Sequence, residues 1–115
     1  MKKNIGLLWA TAVATVMGIS SANAQVKVPE EITTLMNKYT CSACHRVDAR
    51  LVGPAYTDVA KKKYTNEKIV ELIYKPVPAN WPGYPPMAPM TQVPKPDALK
   101  LAAYINSLAP KAAKK

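Results

Sequence analysis

Both cysteines and the only histidine of this 115-residue chain lie in one pentapeptide, Cys41-Ser42-Ala43-Cys44-His45. Thiols and imidazoles are side chains that bind metals and cofactors or carry redox chemistry. Because the chain has no other cysteine or histidine, every site that needs them has to be built around this segment. The fold must therefore present residues 41–45 to whatever they bind.

Three kinds of site are compatible with this pentapeptide. A redox dithiol of the thioredoxin kind needs a βαβ context, and the sequence has no alternating strand pattern. A structural zinc site needs four ligands, so carboxylates would have to complete the three that the pentapeptide supplies. Covalent haem attachment is the third possibility, and Cys-x-x-Cys-His is its sequence signature. The sequence favours haem, with thioether bonds from Cys41 and Cys44 and with His45 as the proximal iron ligand.

Residues 1–24 have the features of an export signal. Two lysines precede an apolar, uncharged run over residues 5–19, and the small-x-small pattern that ends at Ala24 is the type that signal peptidase cleaves. The run is shorter than the roughly 20 apolar residues that span a bilayer. We therefore expect cleavage after Ala24, a periplasmic domain over residues 25–115 and no stable membrane insertion. An uncleaved anchor is the alternative.

The composition of the expected mature domain indicates that a cofactor completes its core. The domain holds 91 residues, has no phenylalanine and draws much of its apolar content from alanine and proline. Domains of this size often need a cofactor, a metal or disulfides for stability. Removal of two lysines with the signal lowers the formal net charge from +9 to +7. Since export argues against nucleic acid, this charge leaves a membrane surface or an acidic protein partner, such as a redox protein with an acidic docking surface.

The apolar residues of the domain recur at helical spacing in four segments, which predicts an all-α fold. We expect helices from Glu30 into Cys41, over residues 56–63, over residues 66–74 with Asn66 as the N-cap, and over residues 96–108.

Residues 75–96 differ from the rest of the domain, because they hold eight of the eleven prolines. Proline at this density excludes both a helix and a central strand. The segment also carries Trp81, Met87 and Met90, which are too apolar for a solvated linker. We therefore expect a long, ordered loop that packs against the cofactor.

The second axial position of the iron cannot be filled by histidine, since His45 is the only histidine of the chain. Met36 lies on the apolar stripe of the first helix and is expected in the core. Met87 and Met90 lie on the proline-rich loop, far enough along the chain to reach the opposite haem face. Histidine and methionine ligation raises the reduction potential and leaves no open position, as an electron carrier requires.

Two other functions remain open at this point. A labile or vacant distal position would make the chain a haem enzyme or a gas-sensing module, although it has no distal histidine for acid–base catalysis. The domain is also compatible with a haem subunit that is permanently docked to a dehydrogenase.

These features resemble the small bacterial class I cytochromes c, the cytochrome c-551/c-552 group, over nearly the whole mature chain. Members have a helix that leads into Cys-x-x-Cys-His and a Val-Gly-Pro-Ala stretch, matched here by residues 52–55. They also have a tryptophan upstream of a Pro-Met loop, then valine, then a final helix with an aromatic residue. The matching residues here are Trp81, Pro86-Met87, Val93 and Tyr104.

The resemblance implies the cytochrome c fold, with four to five short helices wrapped around one covalently bound haem c. It also implies one-electron transfer by a monomer that is not an enzyme. It implies the following site: Cys41 and Cys44 hold the haem, His45 is the proximal ligand and donates to the Pro54 carbonyl, Met87 rather than Met90 is the distal ligand, and Trp81 contacts a propionate. The chain departs from the group in having Ala88 in place of a proline and one extra residue between Trp81 and Met87.

Several basic residues are expected to frame the exposed haem edge. These residues are Arg46, Arg50 and the run Lys61-Lys62-Lys63. Positive charge around the edge would steer acidic partners toward it, and this effect weakens as salt rises.

Overall fold

The computed structural model describes residue 18 and residues 26–110. The predicted signal segment, Gly18 excepted, and its cleavage site lie outside the described residues. The described part contains four α-helices and two one-turn 3-10 helices, and it contains no strand. In chain order these are α1 (Glu30–Lys38), a 3-10 turn (Cys41–Ala43), α2 (Tyr56–Lys61), α3 (Asn66–Tyr74), a 3-10 turn (Pro78–Asn80) and α4 (Lys95–Ser107). The prediction of an all-α fold is confirmed.

Helix α4 organises the core, because it packs against each of the other three α-helices. Its inward face includes Ala98 and Ala102, both fully buried, and these small side chains let the neighbouring helices approach closely. The buried apolar residues of α1 are Ile32, Leu35 and Met36, so Met36 belongs to the core as expected. None of the helices within residues 26–110 is long and apolar enough to cross a bilayer.

Helix α1 ends earlier than the sequence predicts. It stops at Lys38, and Thr40 then adopts a left-handed conformation with φ of 58° before the 3-10 turn begins at Cys41. Left-handed backbone is unfavourable for residues with a Cβ, so the surrounding structure must hold Thr40 in place. The expectation that the helix runs into Cys41 is therefore wrong, because the left-handed residue Thr40 separates α1 from the turn that begins the pentapeptide.

The N-cap of α3 is also one residue from its expected place. Thr65 Oγ1 accepts a hydrogen bond from the Lys68 backbone N–H at 3.1 Å, which is the bond that defines a capping side chain. Asn66 is the first helical residue, and its Oδ1 accepts from Asn106 Nδ2 of α4 at 2.7 Å. The assignment of Asn66 as the N-cap is wrong, because Thr65 makes the capping bond and the Asn66 side chain instead bonds to Asn106.

Candidate functional site

A cavity of about 430 Å³ lies between the helices and the proline-rich loop, within the size range of small-molecule and cofactor sites. None of its lining residues is charged. The lining brings together the pentapeptide, the following loop, α2, α3, α4 and the proline-rich segment. The apolar side chains that contribute include Val59, Ile69, Leu72, Ile73, Leu101 and Ile105.

The pentapeptide forms a tight turn at one side of this cavity. The backbone N–H groups of Cys44 and His45 both donate to the Cys41 carbonyl, at 3.1 and 2.9 Å. This winding brings Cys41, Cys44 and His45 to the cavity lining together. Burial raises the pKa of the Cys41 thiol, whereas Cys44 is exposed.

His45 is held in one orientation by a backbone carbonyl. Its Nδ1 lies 2.8 Å from the carbonyl oxygen of Pro54. Since a carbonyl only accepts hydrogen bonds, Nδ1 carries the proton and the lone pair is on Nε2, the arrangement typical of metal-binding histidines. Burial lowers the pKa of His45, with the bond to Pro54 opposing this, and the lowered pKa favours the neutral imidazole that binds metals.

The ring of His45 is also fixed by packing on two sides. It stacks on the buried Tyr56, with the ring centroids 5.1 Å apart and the planes 15° from parallel. A Cβ placed on Gly53 would lie 2.6 Å from Cε1 of the imidazole, which is closer than real contacts allow. Sequence reasoning singled out neither contact, because Gly-Pro is a common turn and Tyr56 looked like an ordinary helix residue.

The two loop methionines both line the cavity but are held differently. Met90 packs against the hydrophobic core, and its backbone N–H donates to Ile73 of α3 at 2.9 Å. Its sulfur lies 3.8 Å from Gln92 Nε2, a weak hydrogen bond. Met87 is 38% exposed and lies on a five-residue segment, residues 85–89, that forms no backbone–backbone hydrogen bond with the described residues.

Trp81 is half-buried and lines the same cavity. Lys62 Nζ lies 4.8 Å from its ring centroid, within cation–π range, and 3.4 Å from the Asn80 carbonyl. The rings of Trp81 and Tyr84 pack edge to face, with their centroids 6.0 Å apart. Trp81 and Tyr84 therefore form the cavity wall beside the loop, and Lys62 lies over the ring of Trp81 without lining the cavity itself.

Comparison with known proteins identifies the family at this point. A family model described as cytochrome c matches residues 29–109. The chain belongs to the cytochrome c family. Cytochromes c carry haem c, with its iron, through covalent bonds and transfer electrons, so the predicted cofactor and fold are confirmed.

Individual relatives agree with this membership. Cytochrome c-551 of Allochromatium vinosum is 37% identical over 78 residues, which cover 64% of this chain and 82% of that protein. Cytochrome c-552 of Hydrogenobacter thermophilus is 35% identical over 101 residues, covering 84% and 92%. The crystal structure of wild-type Nitrosomonas europaea cytochrome c552 superposes with a TM-score of 0.60 at 34% identity, covering 66% of this chain and 98% of that one.

The residues around the cavity fit a haem c. The apolar, uncharged lining suits a porphyrin body, since an apolar macrocycle gains by leaving water. Cys41 and Cys44 come from one tight turn, as attachment to a single haem edge requires. His45 has its lone pair on Nε2, and the proline-rich loop supplies methionine sulfurs to the cavity lining.

Proposed function

We propose that this cytochrome c is a periplasmic, monomeric electron carrier with His45 and Met87 as its axial iron ligands. Cys41 and Cys44 form the thioether bonds to haem c, which supplies a one-electron Fe(III)/Fe(II) couple when bound. The observation that carries the proposal is the arrangement around the cavity, where a carbonyl-oriented imidazole and the loop methionines line the same uncharged space.

The different anchoring of the two methionines supports Met87 as the distal ligand. Met90 is tied through its backbone to α3, and its sulfur already has a partner in Gln92. Met87 lies between prolines in a segment without backbone hydrogen bonds to the described residues. Its side chain is therefore the one that ligation can reposition without breaking an existing contact.

The protein's role in electron transfer is to keep the site geometry the same in both oxidation states. The Pro54 carbonyl, the Tyr56 ring and the close approach of Gly53 restrict rotation of His45. The mostly apolar lining disfavours water in the cavity, and ligation by both His45 and Met87 would leave no position on the iron for small molecules. These features favour a carrier over a haem enzyme or a gas sensor.

The proposed docking surface is the rim of the cavity. Val52, Val77 and Met87 contribute exposed apolar side chains to it. Positive charge lies beside these residues, since Lys62 covers Trp81 and Arg50 covers Tyr84. An apolar centre bordered by cations suits a redox partner with an acidic rim around its own cofactor.

Export is the part of the proposal that rests on sequence alone. Residues 1–24 form the cleavable signal, and haem is attached after export. The test is the mass of the mature protein isolated from the periplasm of a haem-attaching host. A chain that begins at Gln25 and carries one haem supports the proposal, whereas a chain retaining residues 1–24 in the membrane fraction contradicts it.

The carrier function itself is tested by a potentiometric titration of the haem-bound protein. A reversible one-electron transition, without consumption of oxygen or turnover of peroxide, is expected. Peroxide or oxygen turnover at a rate comparable to that of haem enzymes would exclude the carrier assignment. Size-exclusion chromatography in the same buffer checks that the protein is a monomer.

A further inference from the structure

Within the described residues, the nearest long-range hydrogen bonds on the two sides of the segment that carries Met87 are one bond at Met90 and one at Gly83. On the C-terminal side, the Met90 backbone N–H donates to Ile73 of α3 at 2.9 Å. On the N-terminal side, Arg50 Nη2 donates to the Gly83 carbonyl at 2.8 Å. Residues 85–89 between these two bonds include three prolines, which have no N–H to donate.

Arg50 makes a second contact with the same part of the loop. Its guanidinium carbon lies 4.0 Å from the centroid of the Tyr84 ring, which is cation–π distance. The guanidinium lies over the ring while its Nη2 donates to the neighbouring Gly83 carbonyl, and the fixed, planar fork of arginine allows both contacts at once, which the single ammonium of lysine cannot reproduce. Gly83 has a φ of +84°, so the loop turns at the residue whose carbonyl Arg50 binds.

Arg50 also belongs to the loop that orients the proximal ligand. Residues 46–54 follow the pentapeptide and end at Pro54, whose carbonyl accepts from His45. The contact of Arg50 with Gly83 spans 33 residues of sequence and connects this proximal loop to the proline-rich distal loop. A single side chain therefore joins the two segments that carry the proposed axial ligands.

We infer that Arg50 is a positioning residue that holds the N-terminal side of the Met87 segment and thereby limits how often Met87 leaves the iron. The inference rests on the proposed ligation by Met87. Arg50 does not line the cavity, so it acts through Tyr84 and Gly83. Its removal breaks the hydrogen bond to Gly83 and the contact with Tyr84, and it leaves the bond between Met90 and Ile73 intact.

The test compares Arg50→Gln with Arg46→Gln in the haem-bound protein. Both variants remove one exposed positive charge from the same loop, but the Arg46 side chain forms no hydrogen bond or aromatic contact within the described residues. Imidazole is the probe, used at a pH above its own pKa so that it is uncharged. It replaces methionine on ferric haem at a rate that saturates when methionine dissociation becomes limiting. We expect the saturating rate to rise about three- to tenfold in Arg50→Gln, to stay at the wild-type value in Arg46→Gln, and to lie between them in Arg50→Lys.

Amide hydrogen exchange separates this inference from the ligand assignment. The Tyr84 N–H, which donates to the Trp81 carbonyl, should exchange faster in Arg50→Gln but not in Arg46→Gln. Equal imidazole rates and equal Tyr84 exchange in the two glutamine variants would overturn the role of Arg50 while leaving Met87 ligation intact. If the wild type lacks the far-red absorption band of methionine-ligated ferric haem, Met87 ligation fails and the inference fails with it. In that case the exchange rate of the Tyr84 amide hydrogen reports only whether Arg50 anchors the loop.

Discussion

Gly53 and His45 are in such close contact that no larger residue fits at position 53. A Cβ there would lie 2.6 Å from Cε1 and 3.0 Å from Nδ1 of the imidazole. The Nδ1 atom is the one that donates to Pro54, so a methyl group would push the ring out of the orientation that this bond defines. The glycine therefore sets the position of the proximal ligand through its lack of a side chain.

Gly53→Ala should accordingly disturb both the stability and the haem spectrum. We expect the free energy of unfolding to fall by about 1–3 kcal/mol, the usual result of overpacking, and the Soret and far-red bands to shift. Leu51→Ala, an exposed position in the same loop, is the control and should leave the spectrum unchanged. A Gly53→Ala protein with the wild-type spectrum and stability would show that the loop moves freely away from His45.

The two loop methionines should respond differently to substitution. Met87→Ala should abolish the far-red band of the ferric protein and open the iron to carbon monoxide in the ferrous state, because the distal ligand is lost. Met90→Ala should keep the band but lower the free energy of unfolding by about 2 kcal/mol, since Met90 packs against the core. The reverse pattern would assign the distal position to Met90.

Lys62 should contribute to the steering of anionic partners. Its ammonium lies over the ring of Trp81, which lines the cavity, whereas Lys100 forms an ion pair with Glu31. At low ionic strength, Lys62→Gln should slow oxidation of the ferrous protein by hexacyanoferrate(III) by about a factor of two to three, and Lys100→Gln should change it less. The difference should disappear at high salt. Equal oxidation rates for the two variants would contradict the proposal that electrons leave the protein at the cavity rim.

Stability at alkaline pH should depend on the contact between α1 and α4. The Tyr39 hydroxyl donates to Asp97 at 2.6 Å, and this bond is the main cause that raises the pKa of Tyr39, against the lowering effect of the nearby Lys38. The pKa of Tyr39 is therefore higher in the folded protein than in the unfolded chain. The stability that the bond to Asp97 contributes is complete below the unfolded pKa of about 10 and is lost as pH rises through the folded pKa.

A double-mutant cycle isolates that contact from the other tyrosines. Urea unfolding of the wild type, Tyr39→Phe, Asp97→Ala and the double variant should give a favourable coupling energy at pH 8 that decreases above pH 10. The cycle cancels the helix-dipole contribution of Asp97, which lies in the first turn of α4. A coupling energy of zero at pH 8 would contradict the predicted link between the helices.

The cap of α3 offers a test of the observed helix start. Thr65→Ala removes the acceptor of the Lys68 N–H and should lower the free energy of unfolding by about 1 kcal/mol. Thr34→Ala is the matched control, because Thr34 is an exposed residue inside α1 whose hydroxyl bonds back to the Glu30 carbonyl. It should be neutral or slightly stabilising, since alanine favours helix. Equal losses in both variants would contradict a specific capping role for Thr65.

Local patterns in the sequence predicted three of the four described α-helices closely and singled out the pentapeptide. The segments expected at residues 56–63, 66–74 and 96–108 agree with α2, α3 and α4 to within two residues, because each has an apolar face of helical period. The pentapeptide was identifiable because its reactive residues occur nowhere else in the chain. These features depend on neighbours a few positions apart, which a sequence displays directly.

The contacts that sequence reasoning missed depend on tertiary packing. Thr40 is left-handed although neither glycine nor asparagine marks the position. Tyr56 stacks on His45 because the intervening loop folds back, with the Tyr56 N–H bonded to the Arg46 carbonyl at 3.0 Å. The bond from Arg50 to Gly83 joins residues 33 positions apart. No periodicity or motif encodes such pairs, so only the folded chain reveals them.

The absorption spectrum of the haem-bound protein tests the central claim most directly. It should be recorded in the ferric and ferrous states and again with carbon monoxide. A low-spin spectrum with the far-red band of methionine-ligated ferric haem, unchanged by carbon monoxide in the ferrous state, is the predicted result. A high-spin ferric spectrum, or ready binding of carbon monoxide, would contradict ligation by His45 and Met87 and with it the electron-carrier function.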